Sequence, residues 1–399
     1  MQKLLYSFSI VAILLIVTSC AGQSKQTVGG IESAANGSIQ FRVETVASGL
    51  EVPWSICFAP DGRMFFAERP GRVRVYENGA LRPQPVAVIS DVEASGESGL
   101  MGMTLHPRFA ENHFIYLAYA YDGRAGKRVR VVRFREANNT LLERRTIIED
   151  IPAARYHAGT RVRFGPDGKL YITTGDATDR KFAQKLDSLN GKTLRLNDDG
   201  SVPPDNPFVN RADARSEIWS YGHRNAQGLD WQPGTNLQFQ TEHGPSFPLD
   251  TFSPRGGGDE VNIVEAGKNY GWPTIHHKRT RQGLESPLLE YTPAVAPASG
   301  MFYRGTNPNG FPQFRGNFFF GALKSECIIR VVLDGRRVVS QERLLEDKYG
   351  RIREVAEGTD GAIYFSTSNR DGRGSPARDD DRIMRLVPVR SSSAAGAAR

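Results

Sequence analysis

Three stretches of this 399-residue chain share one plan: Phe58-Ala-Pro-Asp-Gly-Arg-Met-Phe-Phe, Phe164-Gly-Pro-Asp-Gly-Lys-Leu-Tyr-Ile and Gly358-Thr-Asp-Gly-Ala-Ile-Tyr-Phe. In each, one run stops at an Asp-Gly turn and a second, aromatic or alternating run begins. Asp supplies a local hydrogen bond and Gly a positive φ, the two things a tight hairpin turn needs. Trp231-Gln-Pro-Gly-Thr-Asn-Leu-Gln-Phe is a degraded copy. Such a chain is built from recurring strand pairs, which excludes helical bundles and parallel α/β folds.

Further strands fill the gaps between these units. Met101–Leu105, Phe114–Tyr119 and Arg128–Phe134 form one series, and Phe318–Leu323 with Ile328–Leu333 a later pair. Hardly any stretch carries a helical stripe. About 350 residues divided into four-stranded antiparallel sheets gives roughly six units, and radial repetition protects their edges. We therefore expect an all-β fold, a six-bladed β-propeller of four-stranded antiparallel blades spanning residues 41–388. A pair of β-sandwiches is the alternative with the same local pattern.

The ends read differently. Lys3 followed by the apolar run Leu4–Val17 has the form of an export signal, too short for a spanning helix. Val17-Thr-Ser-Cys20 fits lipoprotein processing, with residues 1–19 removed and Cys20 lipidated; an ordinary signal cut slightly later is the other reading. Residues 20–40 are small and polar, a tether, and 389–399 are a tail unable to bury a core. The expected location is the periplasm or cell envelope, with the membrane reached only through the lipid at Cys20.

Net charge is +7 with arginines scattered rather than blocked, which argues against a nucleic-acid partner. The exported chain keeps Cys57 and Cys327, which are equally compatible with a disulfide and with two buried thiols. No CxxC pair or HExxH motif supports zinc.

An ordered series of motifs carries the functional signal: Gly96-Glu-Ser-Gly-Leu-Met-Gly102, His157-Ala-Gly-Thr-Arg161, Gly222-His-Arg-Asn225, Glu242-His-Gly-Pro245, Asp259-Glu260, Asn269-Tyr-Gly-Trp-Pro273, Ala322-Leu-Lys324 and Arg351-Ile-Arg353. Taken together they resemble the soluble quinoprotein sugar dehydrogenases, most closely the aldose sugar dehydrogenase branch. The likeness runs from Val52-Pro-Trp54 to the turn near residue 360. It implies an enzyme that uses pyrroloquinoline quinone (PQQ) and calcium to oxidise aldoses at C1 to lactones, passing electrons to an external acceptor.

The resemblance assigns roles residue by residue. His157 is the implied general base, and imidazole titrates where such a base must. Arg224 and Asn225 are implied to contact the quinone oxygens, where a fixed cation and amide stabilise developing charge. Lys324, Arg351 and Arg353 are implied partners of the cofactor carboxylates, and Glu97 lies beside the cofactor. By spacing alone, Arg351 and Arg353 are equally a solvated strand face, like Arg72/Arg74 or Arg128/Arg130. Gly244 and Pro245 are implied carbonyl ligands of the catalytic calcium, and Glu260 with the Tyr270 carbonyl a second calcium site. His223 reads better as a loop-orienting residue than as a base.

Two positions depart from the pattern: Ala226 stands where many relatives have Pro, and Glu97 where several have Gln. Two other readings stay open, a calcium-dependent propeller lactonase or hydrolase and a non-catalytic binding propeller.

Overall fold

The Asp-Gly turns close identically in three places. In the computed structural model, Ala59, Gly165 and Gly358 each donate their N–H to the carbonyl four residues on, at 2.8–2.9 Å, and receive an N–H from the turn glycine. Those glycines (Gly62, Gly168 and Gly361) have φ between 72° and 89°, where a side chain is strained. The aspartate side chain caps each turn from within, accepting from the N–H of Arg63, Lys169 or Ala362. Its second oxygen receives the hydroxyl of Tyr171 or Tyr364 four residues on. In the first copy that place is Phe65, and the Arg63 guanidinium takes over the bond. In the degraded copy Thr235 does the aspartate's work, its hydroxyl accepting the Leu237 N–H.

The structure describes residues 28–245 and 256–389. They form six antiparallel sheets. Their innermost strands are Pro53–Phe58, Leu100–Leu105, Gly159–Phe164, Ala226–Trp231, Pro297–Phe302 and Ile352–Glu357. Each touches the next and the sixth returns to the first, so the ring is closed. This is the expected six-bladed propeller. Blades two to five have four strands each; in the first, the short Ala80–Leu81 and Ala87–Val88 both pair outside Arg72–Glu77. The sixth blade takes its three inner strands from the end of the chain and its fourth, Ile39–Ala47, from the beginning.

The expected tether is shorter than its composition suggested. Val28–Ala34 forms a fifth strand on Ile39–Ala47. A free sheet edge offers its hydrogen bonds to any extended segment, so small polar residues suffice there. The export signal, Cys20, residues 20–27 of the tether and nearly all of the tail lie outside the described residues.

Apolar strand faces fill the spaces between blades. Cys57 and Cys327 belong to different clusters and are unpaired. The axis of the ring, by contrast, is polar. Arg161 and Glu354, 1% and 0% exposed, meet there at 2.6 Å. Arg161 also donates to Ser55 Oγ and the Gln227 carbonyl and lies 4.4 Å from the Trp54 ring. This buried ion pair ties the inner strands of blades three and six together across the axis. The Asp-Gly turns follow the inner strands at one end of the ring, and the loops that lead into the inner strands lie at the other, the loop end of the channel.

Candidate functional site

His157 precedes the inner strand of blade three, at the loop end of the channel. Its φ of +56° is unusual for a residue with a side chain. Gly175 is part of the reason: a Cβ there would sit 1.8 Å from the His157 carbonyl, so only glycine lets the neighbouring strand pass. That approach brings the next residue, Asp176, within 2.8 Å of His157 Nδ1. Asp176 also accepts from Trp272 Nε1 and the Thr178 amide, both at 2.9 Å. Burial works to raise the Asp176 pKa, but the His157 bond and the charges of His157 and Arg224 prevail and hold it low. An ionised carboxylate on Nδ1 places the imidazole proton there and leaves Nε2 with its lone pair free to accept a proton.

The expected partners converge on the same mouth. Glu97 accepts the His157 backbone N–H at 3.2 Å. Burial opposes its ionisation, yet His243, His157 and Arg373 keep its pKa below the usual carboxylate range. Arg224 and Asn225 lead into the inner strand of blade four. Arg224 Nη1 donates to the His243 carbonyl at 3.1 Å, its guanidinium lies 5.4 Å from the Trp272 ring, and its backbone N–H goes to Glu242. Asn225 Oδ1 accepts from Gly159 and Gln227, whereas its buried Nδ2 has no protein partner among the described residues. Ala226, the departure from Pro, is fully buried as the first residue of the strand.

Arg351 and Arg353 are buried rather than solvated, and both reach Asp371, at 2.9 and 3.6 Å. Arg353 also donates to Ser368 Oγ, and its guanidinium carbon lies 5.7 Å from the Trp54 ring centroid. Burial lowers its pKa to about 10 despite Asp371, with Arg351 adding repulsion. Two guanidiniums sharing one carboxylate leave the pocket short of negative charge. Lys324 is exposed at the rim and is linked to the group through the Leu323 carbonyl, which accepts from Arg351 at 3.0 Å.

The metal-ligand candidates sit beside this mouth. The Gly244 N–H goes to Asp259 Oδ1 at 2.8 Å, and the Pro245 carbonyl accepts from Gly257 at 3.3 Å. Glu260 lies across the sheet from Glu242. Burial, then Glu242, Asp259 and Glu290, push its pKa well above normal, an environment that a divalent cation would relieve. Tyr270 reaches this cluster through His223, stacking on its ring at 4.7 Å while its hydroxyl bonds the Ile263 carbonyl. His223 is fully buried between Glu242 and Ser220, as a loop-orienting residue would be. Among the described residues no cluster of three or more His, Cys, Asp or Glu has metal-binding geometry.

Three residues of the site were given no role by the sequence alone. Asp176 and Asp371 orient His157 and the arginine pair. His243 presents a buried Nε2 with no protein partner among the described residues, and burial drives its pKa down to about 3. The one visible hint was position: Asp176 directly follows the Thr-Thr-Gly end of the repeat, at the same sheet end as His157.

A sequence profile of the Glucose / Sorbosone dehydrogenase family matches residues 50–384. The chain is 36% identical over 349 residues to the aldose sugar dehydrogenase YliI of Escherichia coli (strain K12), covering 83% of this chain and 91% of the relative. The apo-form structure of the soluble aldose sugar dehydrogenase from Escherichia coli superposes with a TM-score of 0.78 at 32% identity, over 88% of this chain and all of the other. The PQQ-bound aldose sugar dehydrogenase from Streptomyces coelicolor gives 0.75 at 29% identity, over 92% and 99%.

Proposed function

Because the chain belongs to the glucose / sorbosone dehydrogenase family, we propose that it is an aldose sugar dehydrogenase with PQQ and calcium as its resident cofactors. The observation that carries this reading is a pair of buried guanidiniums on one carboxylate and a buried Asn225 Nδ2, without a protein partner among the described residues, beside an oriented imidazole.

The pocket fits a polyanionic, carbonyl-bearing cofactor. Arg351 and Arg353, with Lys324 at the rim, supply counter-charge for its carboxylates. Asn225 Nδ2 and Arg224 are donors for its carbonyl oxygens. The carbonyls of Gly244 and Pro245 are the oxygen ligands offered to a hard cation. When bound, the quinone supplies a two-electron acceptor and calcium a Lewis acid that polarises it.

The protein's own part is positioning and proton transfer. His157 Nε2 accepts the proton of the sugar's anomeric hydroxyl as C1 loses hydride, and Asp176 stabilises the resulting imidazolium. Trp272 holds Asp176 from one side and stacks under Arg224 on the other, so base and oxyanion donors share one support. The product is the lactone, and the electrons then leave for an external acceptor.

The test is reconstitution. Apo-protein given PQQ and calcium should reduce a dye in the presence of aldoses and remain silent without either cofactor. A protein that binds PQQ tightly but oxidises no aldose, and instead opens lactones with calcium alone, overturns the proposal in favour of a hydrolase.

A further inference from the structure

Above the pocket, the rim carries a charge that the cofactor site does not use. Arg155 and Arg373 flank one ring, their guanidinium carbons 5.6 and 5.2 Å from the centroid of Tyr156. Cation–π contacts of this length orient a guanidinium while leaving its N–H edge open. Arg155 is further fixed from beneath: a Cβ on Gly96 would lie 2.5 Å from its Cγ. Its carbonyl accepts the Glu97 N–H at 3.0 Å, so the two loops interlock.

Only one carboxylate answers these two cations. Glu97 Oε1 is 3.4 Å from Arg373, while its other oxygen accepts the His157 N–H. Arg155 has no carboxylate within ion-pair distance among the described residues, and Asp371 is already committed to Arg351 and Arg353. Arg155 and Arg373 therefore share one surplus positive charge, a single carboxylate away from the base. Arg155 and Arg373 are both exposed, so their donors face whatever enters.

We propose that Arg155 and Arg373, braced on Tyr156, form a subsite for an aldose bearing an anionic group remote from C1, a carboxylate or a phosphate. The inference rests on the dehydrogenase reading above and adds no chemical step to it. With C1 presented to His157, the far end of the sugar meets the guanidinium pair. Planar bidentate donors suit carboxylate and phosphate oxygens, and the Glu97–Arg373 contact, 3.4 Å long with its arginine half exposed, is weak enough to open for them.

Holoenzyme reconstituted with PQQ and calcium is assayed by dye reduction on glucose, glucuronate and glucose 6-phosphate. At low salt, kcat/KM for an anionic sugar should exceed that for glucose by about tenfold or more, the value of a charge-assisted contact. The difference should lie in KM and shrink as ionic strength rises. Comparing glucuronate with glucose 6-phosphate identifies the anion. Arg373→Gln and Arg155→Gln should each pull the anionic-to-neutral ratio toward one. Equal or better kcat/KM for glucose in the wild-type enzyme overturns the inference and leaves the dehydrogenase reading standing. So does a ratio unmoved by both substitutions. Failure to oxidise glucose as well as both acids overturns the dehydrogenase reading itself.

Discussion

Asp176→Asn probes the site most directly, because it changes one proton and almost no volume. Asp176 accepts three hydrogen bonds, from His157 Nδ1, Trp272 Nε1 and the Thr178 amide. Asparagine has one acceptor oxygen and one NH2. If the oxygen stays with Trp272, the NH2 takes the place of the oxygen shared by His157 and the Thr178 amide, and Nδ1 must become an acceptor. The imidazole proton then moves to Nε2, the atom that must take the sugar's proton. In hydrolytic triads the same exchange lowers kcat by about 10⁴, equivalent to about 5.5 kcal/mol at 1.36 kcal/mol per decade. The present dyad should lose roughly 10³–10⁴ in kcat, measured by dye reduction with saturating PQQ and calcium. His157→Ala serves as the floor. PQQ affinity should hold, because neither Arg351 nor Arg353 touches Asp176. A mutant within about tenfold of wild type would mean that Asp176 does not set the tautomer, and another base would have to be sought.

Three further outcomes follow from described contacts. Arg351→Gln or Arg353→Gln should weaken PQQ binding by roughly 10- to 100-fold in equilibrium dialysis, the worth of one charged hydrogen bond, and Lys324→Gln, at the exposed rim, by less. Glu354→Gln strands the buried Arg161 charge, costing about 3–5 kcal/mol; with about 2.1 cal/mol/K per residue over about 350 residues, Tm should fall roughly 4–7 °C by calorimetry, and adding Arg161→Met should recover part of it. For Asp371, burial works to raise the pKa but Arg353 and Arg351 prevail and lower it below the unfolded value; its stabilisation is therefore complete above the unfolded value of about 4 and lost as pH falls through the folded one. In thermal scans from pH 5 downward, the Tm of Asp371→Asn should decline less steeply than that of wild type.

The blades were legible because their turns are local. Asp61, Asp167 and Asp360 each cap their own hairpin within two residues, so the chain declares the turn before any tertiary contact exists. The convergence of His157, Arg224, Asn225, Arg351 and Arg353 on one mouth was legible only through family resemblance, since Arg-x-Arg pairs recur throughout the chain. Asp176 and Asp371 were not legible. The place of Asp176 after the repeat names no partner and nothing beside Asp371 does either; their roles arise from residues 19 and 20 positions away folding back. Val28–Ala34 was missed for the opposite reason: its pairing is dictated by the edge it meets, not by its own composition.

The sixth blade has a bearing on how the molecule is made. Arg385 bonds Glu44 across 341 residues of chain, so a ribosome must finish almost the whole protein before the ring can zip shut. Until then the first and fifth blades each present an open flank, and Arg353 has not yet been joined to Trp54. A nascent or truncated chain therefore holds the base and the oxyanion donors of blades three and four but no counter-charge opposite them, and is exposed to sticking edge to edge with its neighbours. Loss of the last strand should for that reason disarm the protein as completely as loss of His157, though it removes no group that would touch a sugar.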